Sequence, residues 1–326
     1  MTKFILTLLL TASLISCAQE SKNKTMTAEQ RIEYISKKIQ KFDNEPLYQL
    51  DIQSIFNFKV MVNGVPVYSN FDKIPGMARV NINSSILKSG KQSIEVELYP
   101  GYDNNGTQKN FLENGENFIL KVEKTAWNKD GSIKTPEEVL EFKNSDQNID
   151  YSKLAEYRTS MNFEASVPYT IKGWEDGQDL SKLNQKDLEL KVVSFYKNMV
   201  SAFKEKDYDY LNTIFLNADS EWYQAEYFPK DMITKFQSTK GRKGKSVSTT
   251  RANSDKYSQN VYPIENYVMK FYANNKIVRL EPKEGLNRGE SLLGYDDIDK
   301  NGMNRKTFID MLLYIPKGTD SLQIIR

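Results

Sequence analysis

Asp297, Asp299, Asn301 and Gly302, in the stretch DDIDKNGMNRKTF, stand at the first, third, fifth and sixth positions of a calcium-binding loop. That spacing suits a cation because alternate side chains bring oxygens to one point, while glycine permits the sharp turn between them. The twelfth position of such a loop is a bidentate Glu, and here it is Phe308. The ESLLGY run before it has strand rather than helix character. Similar clusters of Asn and Asp ending in Gly recur at Asp103 to Gly106 and at Asn128 to Gly131. Asn, Asp and Gly tolerate positive φ, so these clusters suit strand-connecting turns. Asn301-Gly302 therefore reads as a turn leading into TFIDMLLYI. A weak calcium loop, of the kind that works at about 10⁻⁴–10⁻³ M outside cells, is the alternative, and no other cofactor is expected.

Two further groupings carry chemistry. In GWEDGQD, Trp174 stands beside Glu175, Asp176 and Asp179, a ring with carboxylates of the kind that stacks on a sugar and accepts its hydroxyls. The competing role for Trp174 is packing between domains. In STKGRKGKSVSTTR, Lys240, Arg242, Lys243 and Lys245 follow one another without an acid, a loop able to contact lipid phosphates or an acidic partner, or simply a solvated loop. Gly244-Lys245-Ser246 is no phosphate-binding loop, because the first Gly of that motif falls on Thr239.

Composition removes most enzymes from consideration. The chain has no histidine, so the commonest general base and the commonest transition-metal ligand are missing. Its single cysteine, Cys17, excludes an intrachain disulfide and a Cys-rich zinc site. With 45 Lys and Arg against 43 Asp and Glu, there is no overall field to attract nucleic acid, and none is expected as a partner. A carboxylate pair acting on glycosides is the catalytic alternative that survives.

The N-terminus, MTKFILTLLLTASLISCAQES, has Lys3, an apolar run from Phe4 to Leu10, and then small residues. This reads as a secretory signal over residues 1–16, too short to span a membrane. Leu14-Ile15-Ser16-Cys17 resembles the lipobox of bacterial lipoproteins. The resemblance implies that Cys17 receives diacylglycerol and becomes the first mature residue, anchored in the cell envelope. Ala18, standing where an inner-membrane retention signal has Asp, implies the outer membrane.

These segments need elements to position them. After a tether over residues 17–26, Thr27 and Gln30 form a capping box, and Ile32, Ile35, Ile39 and Phe42 line one face of a helix within residues 27–50. That stripe is expected to dock on the domain that follows. From 51 to 171 the period becomes two, with a hairpin at Asn63-Gly64 and alternating runs through Val80, Val96, Leu120 and Phe163. The pattern predicts an antiparallel β-sandwich, and NSSILKSGKQSIEVELYP resembles strand pairs of immunoglobulin-like domains.

Residues 172–183 read as a linker, and 184–326 as an α+β domain of helices followed by strands. Its helical opening places Leu188, Val192, Phe195, Met199 and Phe203 on one stripe. VVSFYKNMVSAFKEKDYDYLNTIF resembles the opening of the NTF2-like fold, which implies a curved sheet and three helices around a pocket. Many enzymes of that fold use an Asp–His pair, so a chain without histidine is expected to bind rather than catalyse.

The sequence thus predicts a lipid-anchored, envelope-facing binding module whose partner, besides the membrane, is an envelope protein, a glycan or a toxin. A glycan hydrolase and a purely structural lipoprotein are the alternatives. Replacing Cys17 by Ser is expected to move the protein from the membrane to the soluble fraction and to remove the acyl mass; fractionation and intact mass spectrometry check both.

Overall fold

The structure, a computed structural model, describes residues 25–128, 130–237, 261–298 and 304–325, and of 235–237, 297–298 and 304–305 the backbone alone. Among the described residues the fold is mixed and mostly β, with four antiparallel sheets of two to four strands and five α-helices.

Eight strands build the first half: β1 (Leu47–Ser54), β2 (Asn57–Val62), β3 (Val65–Asn70), β4 (Gly76–Asn81), β5 (Gly90–Tyr99), β6 (Phe118–Thr125), β7 (Glu137–Lys143) and β8 (Tyr157–Ala165). They form two four-stranded sheets, ordered β4-β1-β6-β7 and β3-β2-β5-β8. Alternation in the sequence becomes alternation in burial, because successive side chains leave a strand on opposite sides. Ile94, Val96 and Leu98 of one sheet and Phe118, Leu120 and Val122 of the other are fully buried in one shared core. Phe58 and Phe118 meet edge to face across it at 5.4 Å. The β2–β3 hairpin turns at Asn63 (φ 53°) and Gly64 (φ 72°), the left-handed pair that a two-residue turn demands.

The second half holds α2 (Gln185–Glu205), α3 (Tyr208–Ile214), α4 (Leu216–Ala225) and α5 (Lys230–Gln237), then β9 (Tyr267–Tyr272), β10 (Ile277–Pro282), β11 (Gly294–Ile298), β12 (Asn304–Phe308), β13 (Leu313–Tyr314) and β14 (Gln323–Ile324). The order β14-β13-β10-β9 makes one sheet, and β11 with β12 makes a separate hairpin. Asn184 caps α2 by accepting from the amides of Lys186 and Asp187. The stripe of α2 runs through Tyr196 rather than Phe195. The reason is polar: the Tyr196 hydroxyl accepts from Leu280 N–H at 3.1 Å and donates to the Met311 carbonyl at 3.2 Å, joining helix to sheet.

Three expectations need correction. The N-terminal helix, α1 (Ala28–Lys38), has the foreseen capping box but stops well before residue 50, where β1 already runs. It docks not on the sheets that follow but on the helices of the second half. Ile35 packs with Tyr223, Phe228 and Ile233. Arg31, one turn earlier on the same face, is fully buried, ion-pairs with Asp219 of α4 and donates to Asn212 of α3 at 3.4 Å. A buried guanidinium repays its desolvation only beside a carboxylate, and this requirement selects the docking partner. Residues 172–183 are no free spacer, since Gln178 N–H bonds Ile315 O, Lys317 N–H bonds Asp176 O and Leu180 N–H bonds Asn275 O, all within 2.8–2.9 Å.

Where α4 ends against β4, Glu226 is fully buried and accepts from Asn81 Nδ2 at 3.0 Å. Burial pushes its carboxyl up to about 7. An unfolded Glu titrates near ~4.3, so the folded chain keeps a proton that the unfolded chain loses between the two values. Stability from this group is full below about pH 4 and lost as pH rises through 7. Glu226→Gln is expected to lack that loss, gaining on the order of 3 kcal/mol over wild type between pH 4 and pH 8 in urea titrations.

Candidate functional site

Strand β2 is buried on both faces. Phe58, Val60 and Val62 enter the core between the two sheets, while Asn57 and Lys59, at alternate positions, point away from it. What covers that outward face is β9 and β10. Strand β10 is itself covered twice, with Val278 and Leu280 in the core beneath α2 and Arg279 and Glu281 on the opposite side. The two halves therefore meet through charged faces of two central strands.

The contact is a network. Lys59 Nζ donates to the Tyr272 hydroxyl and lies 3.5 Å from Glu281. The Tyr272 hydroxyl donates in turn to Glu281 Oε1. Arg279 reaches the same Oε1 with Nη2 at 2.6 Å and Nε at 3.0 Å, and spends Nη1 on Asp310 at 2.9 Å and Nη2 also on the Gly289 carbonyl at 2.6 Å. Burial lowers the pKa of Lys59, and the Glu281 charge only partly restores it. Burial alone would raise Glu281, but Arg279 and Lys59 outweigh it and hold the carboxyl below its ordinary value. Burial raises Tyr272 well above a free phenol.

Beside the network, the outward face of the β3-β2-β5-β8 sheet and β9 enclose a cleft of about 720 Å³. Strand register builds one wall: Lys59 pairs with Glu97 and Glu97 with Arg158, so three charges lie in a row across β2, β5 and β8. Glu97 receives Arg158 Nη1 at 3.1 Å and the Tyr99 hydroxyl at 2.8 Å. The other wall is Lys270, Phe271 and Tyr272, followed by a turn in which Ala273, Asn274 and Asn275 all have positive φ. Its end is closed by the β2–β3 hairpin, whose Gly64 carbonyl accepts from Ala273 N–H at 2.9 Å. A Cβ on Gly64 would stand 3.1 Å from Ala273 Cα, so glycine sets how closely the two halves approach. A smaller cleft of about 240 Å³ also reaches Lys59 and is lined by Phe71, Arg288 and Glu281. The whole offers fixed donors and acceptors to a polar ligand.

The residues singled out from sequence lie elsewhere. Trp174 is 6% exposed and packs in the first core, so its ring has no face open for a sugar. Glu175 pairs with Lys88 at 2.8 Å, Asp176 with Lys172 at 2.6 Å, and Asp179 caps a turn at Ser181; the three carboxylates do not converge. Cys17, the basic residues Lys240, Arg242, Lys243 and Lys245, and Asp299 and Asn301 lie outside the described residues. Asp297 is described in backbone only, paired with Arg305 in the β11–β12 hairpin that flanks the expected turn. Among the described residues no group of three His, Cys, Asp or Glu is placed to hold a metal.

Sequence reading missed Lys59, Glu97, Arg158, Tyr272, Arg279 and Glu281. The available signal was a charge at an alternate position within FKVMV and another two within IVRLEP, strands otherwise apolar. The chain matches no family model, no curated protein and no solved structure.

Replacing Lys59 by Met leaves Glu281 with Arg279 and Tyr272, and should cost no more than about 1 kcal/mol. Arg279→Met leaves the buried Glu281 carboxylate with Lys59 at 3.5 Å and Tyr272 in place of the two short guanidinium bonds, and should cost about 3–5 kcal/mol. Urea unfolding of the two variants checks the contrast.

Proposed function

We propose that this chain is an envelope-facing lipoprotein, anchored through Cys17 in the outer membrane, that binds a polar ligand, a glycan or a polar segment of an envelope protein, in the Lys59 cleft. The carrying observation is the row Lys59, Glu97 and Arg158 facing Lys270 and Tyr272 across about 720 Å³. That volume falls within the range of about 300–1,000 Å³ usual for ligand sites, and its lining of paired charges, amides and hydroxyls suits a hydroxylated ligand more than an apolar one. Fixed walls favour binding, because donors already held in place lose little entropy when a ligand arrives. The anchor rests on the lipobox, and no helix among the described residues is long and apolar enough to cross a membrane.

Two fold assignments accompany this reading. The shared core of the two four-stranded sheets supports a β-sandwich with generic immunoglobulin-like character. Helices followed by an antiparallel sheet, with α2 laid on it through Tyr196, support an NTF2-like second half. A glycan hydrolase has less in its favour. Among the described residues the carboxyls raised by burial, Glu226 and Glu290, do not line the Lys59 cleft, and a hydrolase needs one such acid beside its partner.

The soluble chain of residues 18–326 is expected to retain a glycan on an array or to enrich one envelope protein in a pull-down. Lys59→Met combined with Lys270→Glu is expected to reduce that retention at least about tenfold without unfolding the protein. No retention by the wild-type chain in either assay would leave a purely structural role.

A further inference from the structure

A second cavity, of about 670 Å³, lies between the segment after α1, the turn after β6 and the start of α5. Its lining differs in kind from that of the Lys59 cleft. Three aromatic rings contribute, Phe42, Trp127 and Tyr227, from three separate parts of the chain. Phe42 and Tyr227 meet edge to face at 6.4 Å. The indole N–H of Trp127 is spent on the Glu226 carbonyl at 3.0 Å, so the indole offers a ligand its ring alone. Tyr227 is 5% exposed, and its hydroxyl has no hydrogen-bond partner.

Among the described residues that line this cavity, the carboxylates Glu45, Asp130 and Asp231 outnumber the ammonium of Lys41. Asp130 accepts from the amide and hydroxyl of Ser132, bonds that favour its ionised form, and Glu45 accepts from Phe42 N–H. Aromatic faces carry negative quadrupoles, and carboxylates add net negative charge around them. An anion is repelled by such a lining, and a neutral sugar finds few donors in it. A weakly hydrated organic cation gains from both features and needs no hydrogen bond to be buried.

We propose that this cavity binds a quaternary ammonium head group, seated against Phe42 and Trp127 and countered by Glu45, Asp130 and Asp231. The site is separate from the Lys59 cleft, where Arg158 and Lys270 disfavour the same ligand. Either reading can therefore fail without the other.

The test titrates the purified full-length protein with choline and with 3,3-dimethyl-1-butanol, its uncharged isostere, by calorimetry. Choline is expected to bind at least about tenfold more tightly. Asp231→Asn, an exposed position on α5, should weaken choline severalfold, leave the isostere unaffected and keep the melting temperature. Trp127→Leu should weaken both ligands. Full-length protein carrying Cys17→Ser, incubated with phosphatidylcholine and with phosphatidylglycerol vesicles, separates the sources. Retention on the former alone assigns a lipid head group, whereas binding of free choline without vesicle retention assigns a soluble cation. Equal affinity for choline and the isostere, or no saturable choline binding at tens of millimolar, overturns the proposal.

Discussion

A lysine in the middle of a strand that is covered on both sides has few ways to be accommodated, and Lys59 governs how the halves of this protein fit together. Apolar surface laid over β2 would strand its ammonium in a medium that penalises charge severely. Only a surface presenting an acceptor and a carboxylate at that height can close over it, and β9 and β10 bring Tyr272 and Glu281. Glu281 in turn would be overmatched by burial without Arg279, and Arg279 reaches Asp310 and the Gly289 carbonyl. One buried charge thus fixes the register of several elements. Exchanging any member for an apolar residue changes what its neighbours must bond to, so the contribution of each is not additive.

The same contact explains why the cleft exists. Sheets packed by apolar faces approach until side chains interdigitate, leaving little space between them. Here the approach is arrested by long paired side chains at Lys59 and by backbone contact at Gly64, and the gap between these two supports is the cleft. Leu312, Tyr272 and Ala273 of the second half belong to the core of the first, so the supports are not hinged on a flexible connection.

Much of this fold is legible in the sequence, and the reasons for the gaps are physical. Strands with one buried face, such as Ile94 to Leu98, write their environment into period-two alternation. Edge strand β7, EEVLEFK, has no wholly buried face and left no such record. Helix α4 follows α3 after a single residue, Phe215, which offers no capping side chain to mark a new start. Binding features were harder still. Trp174 has acidic neighbours in sequence, yet neighbours in sequence on a tight turn diverge in space. Lys59 and Glu281 lie far apart in the chain, and nothing local to either states that the other will cover it. A charged residue on an alternating strand ordinarily means solvent; here it meant an interface.

Arg31 and Asp219 are separated by 188 positions, and almost every partner of α1 lies equally far along the chain. Ribosomes add about 5–20 residues per second, so α1 waits on the order of ten seconds or longer for the helices that will receive it. The strands of the first half can pair during that interval. The first helix to emerge is thus among the last elements to find its place. Until then its amphipathic stripe and unpaired guanidinium stay exposed, so the vulnerable period of this chain falls in its biogenesis rather than in its finished state.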